Sequence, residues 1–124
     1  MTQPNALFEA ANTRFEWANK ACDEDEFGLA GQLYINSAIR FTDFLCQKYL
    51  GEIFSRKHHS NTSFIHQLTE FLKNDYKVYK ESYEFLMNQK NLTDYGNTLS
   101  ESQLKQIKRR ATKIKEIAEQ HYSI

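Results

Sequence analysis

Few side chains in this chain can act as nucleophile, general acid or base, or metal ligand: two cysteines, four histidines and an Asp-Tyr-Gly turn hold most of the options. His58 and His59 are adjacent, and neighbours on a helix point apart, so they read as part of a polar connection and not as a chelating pair. His66, between Ile65 and Gln67, reads as a surface or partly buried histidine, and His121 stands near the chain end. No Glu-x-x-His pair and no histidine pair at helical spacing is present, so nothing in the sequence implies a metal or a cofactor. Cys22 and Cys46 fall on apolar positions, where burial suppresses the thiolate, and they read as small core residues.

Two surface patterns remain. Lys105, Lys108, Arg109, Arg110, Lys113 and Lys115 surround the polar side of the last helix. That arrangement suits either a solvated face or phosphate contacts, and no aromatic residues interleave to stack bases. Tyr76, Tyr79 and Tyr83 share one helical face, with two roles open: a partner interface that keeps the hydroxyls wet, or the core of a small bundle.

The elements that must position these residues are helices. With one proline and four glycines the chain has few breakers. Leu7, Ala11, Phe15, Ala18 and Cys22 predict a first helix over about 6–22, with Asn5 as N-cap. Asp23 and Glu26 are spaced as a capping box for a second, long helix reaching about Phe54. Gly28 and Gly31 near its start each cost about 1 kcal/mol against alanine, so they predict close helix packing. After the polar stretch 55–61, Phe64, Ile65, Leu68, Phe71 and Leu72 mark a short helix, and a fourth runs from about Asp75 to Gln89. Asp94-Tyr95-Gly96-Asn97 signals a turn, and Ser100 with Gln103 a second capping box. Leu104, Ile107, Ala111, Ile114 and Ala118 stripe the last helix. Such stripes can be buried only against one another, so the expected fold is all-α, a single antiparallel four-to-five-helix bundle over 1–124.

The 124 residues suit one domain, and 16 basic against 16 acidic side chains leave no net charge to favour nucleic acid or membrane. The charge is uneven: 1–50 hold four basic and seven acidic groups, 51–124 twelve and nine. No run is long and apolar enough for a membrane span and the first residues lack a secretory pattern, so the expected location is cytoplasmic, with both cysteines reduced.

From the second helix onward the chain resembles the HEPN superfamily of small helical domains, in particular its stand-alone bacterial branch. Lys57-His58-His59-Ser60 is similar to that branch's polar connection, 64–72 to its short helix, and Asp94-Tyr95-Gly96 followed by Ser100-Glu101 to its turn and last-helix start. Departures are specific. Arg40-Phe41-Thr42 stands where the branch carries Tyr-Tyr-Ala, and Lys90 or a neighbour replaces an arginine before the turn. Ribonuclease members carry an Arg followed after four to six residues by His, and Arg14, Arg40, Arg56, Arg109 and Arg110 all lack that partner. The resemblance therefore implies a non-catalytic bundle, often a homodimer, working beside a partner protein such as a small nucleotidyltransferase, or binding nucleotide or RNA. The cleft it suggests joins His58, Lys90, Asp94 and Tyr95. Two alternatives stand beside it: a divergent HEPN ribonuclease built from the same four residues, and a helical adaptor with no ligand.

Overall fold

The computed structural model describes residues 4–54, 63–94 and 99–122. Among these residues every regular element is helical. Four long helices make the bundle: α1 (Pro4–Asp23), α2 (Phe27–Leu50), α4 (Tyr76–Asp94) and α5 (Glu101–Tyr122). Between α2 and α4 the chain passes through a 3-10 segment, Ser63–Leu68, the one-turn helix α3 (Thr69–Leu72) and a second 3-10 turn, Lys73–Asp75.

Side-chain pairs set the directions. Phe8 meets Phe41 (ring centroids 5.4 Å) and Phe15 meets Tyr34 (5.2 Å), so α1 and α2 run antiparallel. Arg110 lies over the Phe85 ring at 5.6 Å, and Tyr49, near the end of α2, bonds His121, near the end of α5. Hence α5 runs parallel to α2, α4 opposes both, and the order is up-down-up-down. The expected antiparallel bundle is the observed fold. No described helix is long and apolar enough to cross a membrane.

Helix α2 is the central element, packed against α1, α4 and α5. Its buried side includes Tyr34, Phe41, Phe44 and Leu45, each without exposed surface. Gly31 is buried as well, while Gly28 is half-buried. The α5 stripe is buried throughout, is widened by Ile117, and extends one step beyond Ala118, to His121. Phe8 stacks on Tyr122 at 4.0 Å, tying the start of α1 to the end of α5.

The helix ends correct several expectations. Asn5 lies inside α1 and is not its cap. Asp23 ends α1, so no Asp23–Glu26 capping box forms; Glu26 is the N-cap of α2 and makes no side-chain capping bond. The acidic stretch instead closes α1: Glu26 N–H donates to Ala21 O (2.9 Å) and Asp25 N–H to Cys22 O (3.1 Å), with Asp25 at φ 59°. That is a Schellman motif with aspartate in the left-handed position usually held by glycine. At the other end, α2 stops at Leu50 and not near Phe54, because Gly51 turns left-handed (φ 70°) and returns its N–H to Gln47 O. Helix α4 runs past Gln89 to Asp94, so Asp94 is helical and not the first residue of a loop. Ser100 and Gln103 do form the expected box: Ser100 N–H donates to Gln103 Oε1 (2.8 Å) and Gln103 N–H to Ser100 Oγ (3.1 Å).

The α2–α4 seam carries buried polar groups. Thr42 Oγ1 donates to Ala38 O and lies 2.6 Å from the Tyr79 hydroxyl, so a phenol without exposed surface keeps a partner. Leaving such a hydroxyl unpaired would cost about 1–3 kcal/mol. Asp43 is buried beside it, with Arg40 Nη1 3.7 Å from Oδ2, an ion pair and not a hydrogen bond. Burial, with Asp43 nearby, pushes the Cys46 thiol up to about 12, which makes it a core residue as expected.

Candidate functional site

Two of the four residues of the cleft suggested by sequence fall among the described residues. Lys90 is half-buried on α4 and Asp94 is the last residue of that helix, whereas His58 and Tyr95 lie outside the described residues. The tyrosine face resolves toward the core. Tyr79 and Tyr83 are buried within this one chain, and Tyr76 packs against them half-exposed. Burial raises the pKa of Tyr79 and Tyr83, with Asp43 and Cys46 adding to it. As an interface Tyr79 and Tyr83 are corrected: their area is already spent on α2 and on Phe64, which meets Tyr83 edge-on at 6.0 Å.

Two other places offer surface for recognition. The first is an apolar groove of about 340 Å³ between α1 and α2, lined by Trp17, Ala21, Leu29 and Leu33 and flanked by Lys20 and Glu24. Trp17 is 55% exposed and Leu29 46%, the two most exposed large apolar side chains among the described residues. Trp17 sits ~120° around α1 from its apolar stripe, so the bundle core cannot reach it. A tryptophan off the stripe was the sequence signal for this groove.

The second is an open cleft of about 470 Å³ with charged residues at its rim, at the end of the bundle where α2 and α5 finish and the chain enters α4. Tyr49 Oη lies 2.6 Å from His121 Nδ1, and the two rings meet edge to face. Tyr49 also stacks on Phe71 at 4.5 Å. Lys48 Nζ donates to the His121 carbonyl, which neutralises one of the open carbonyls at the C-terminus of α5. His121 is held below its usual 6.5, chiefly by burial and then by Lys48, against an opposing pull from Asp75; burial raises Tyr49. Both groups are therefore neutral at pH 7.

Glu70, Lys73 and Asp75 form the charged rim of this cleft, and the Asn74 and Gln120 amides also face it. Lys73 takes φ 53°, ψ −118°, a region that costs a non-glycine residue of order 1–3 kcal/mol. Sequence reading passed over His121 because of its nearness to the end. Its register was the missed signal: it falls three residues beyond Ala118 on the α5 stripe.

Among the described residues no three His, Cys, Asp or Glu side chains converge as a metal site. The basic face of α5 is laced with its own acids: Lys115 pairs with Glu119 at 3.1 Å, Lys113 with Glu116 at 3.9 Å and Lys105 with Glu101 at 4.0 Å. Compared with family models, with curated proteins and with solved structures, the chain matches none.

Proposed function

We propose that the chain is a non-catalytic, HEPN-like helical-bundle module for protein interaction, and that two copies of it associate through the α1/α2 groove. The exposure of Trp17 and Leu29 beside Leu33 carries this reading. A tryptophan gives up more water-contacting apolar area than any other side chain and is typical of interface anchors.

A second copy is the occupant that the charges favour. Lys20, on α1, and Glu24, the first residue of the turn after it, flank the groove four residues apart. Two α1 helices crossing antiparallel about an axis near position 22 bring Lys20 of each copy opposite Glu24 of the other, the reciprocal pairing that a two-fold interface needs. With 16 basic and 16 acidic residues the chain has no net charge to repel its own copy. The alternative of RNA or nucleotide binding gains less support, because glutamates interleave with the lysines of α5 and weaken any continuous phosphate track.

Light scattering on the full chain tests the reading. The expected mass is twice 14.6 kDa at about 100 μM. Trp17→Glu, on a surface that the fold does not use, returns the mass to one chain while leaving the helical circular dichroism unchanged. A wild-type monomer at that concentration contradicts it.

A further inference from the structure

We draw no further inference here: the strongest candidate, the cavity of about 200 Å³ between the turn after α1 and the start of α5, lined by Cys22, Lys105 and Lys108, rests on a lone cysteine, and among the described residues no buried unpartnered polar side chain lines it.

Discussion

Near its start α2 lies beside α1 with Leu29 half out of the protein and lining the same groove as Trp17, whereas near its end Tyr49 is wedged between Phe71 and His121. Leu33 and Tyr49 are about 24 Å apart along the helix axis, and the two ends use aromatic side chains for different purposes. At the groove the aromatic surface is surplus to the fold. At the cleft it is committed, because the stacked Tyr49 and the Tyr49–His121 bond join α2, α3 and α5, and only the hydrophilic rim is left over. A small bundle can therefore leave both an apolar groove and a charged rim outside its core, because the two draw on different residues.

Matched truncations sharpen that contrast. Tyr49→Ala removes a stacked ring and strands the His121 Nδ1, and it is expected to cost about 3 kcal/mol of stability by chemical denaturation. Trp17→Ala should leave monomer stability within about 0.5 kcal/mol and act on association instead. Equal losses of stability at the two positions would break the comparison.

Protonation affects only the cleft end. Because His121 is held below 6.5 in the folded chain, the unfolded chain binds the proton more readily. Its contribution to stability is whole above about pH 6.5 and is lost as pH falls toward the lower folded value. Lys48, Lys73, Glu70, Asp75 and Tyr49 surround it. The thermal midpoint is expected to drop between pH 7 and pH 5.5, and His121→Gln, compared at the same pH values, should flatten that part of the curve. An identical slope in the variant would remove His121 from the account.

Smaller effects come from the backbone. Asp25 closes α1 at φ 59° and Lys73 borders the cleft at φ 53°, both conformations that glycine adopts without strain. Asp25→Gly is expected to stabilise the chain by about 0.5 kcal/mol, and Lys73→Gly by about 1 kcal/mol. Their differential-scanning midpoints should both rise.

These features explain what the sequence made legible. Periodicity suffices wherever a stripe faces a core, as in α5, where Leu104 to Ala118 are all buried in the expected register. The Ser100–Gln103 box was readable because both partners lie within one turn. Helix ends set by backbone conformation were less readable, since Asp25 in a left-handed position looks in sequence like one half of a capping box. The tyrosine face shows the limit of pattern alone: Tyr79 is satisfied by Thr42, 37 positions away, and spacing cannot report such a partner. The cleft is composed in the same way, from Tyr49, 70–75, Gln120 and His121, segments that meet only after the bundle closes. Trp17 has no place on the α1 stripe, a signal the spacing of the stripe alone does not use, and the groove it lines on α2 required the α1–α2 hairpin.

The most direct test uses the chain's single tryptophan. Trp17 emission, followed as the protein is diluted from about 100 μM to about 0.1 μM, reports whether the groove is covered by a second copy. A blue-shifted maximum at high concentration that moves red on dilution, in step with a fall in mass from two chains to one, is the predicted result. An emission maximum typical of exposed tryptophan, unchanged across that range, would contradict the assignment of the α1/α2 groove as the self-association surface.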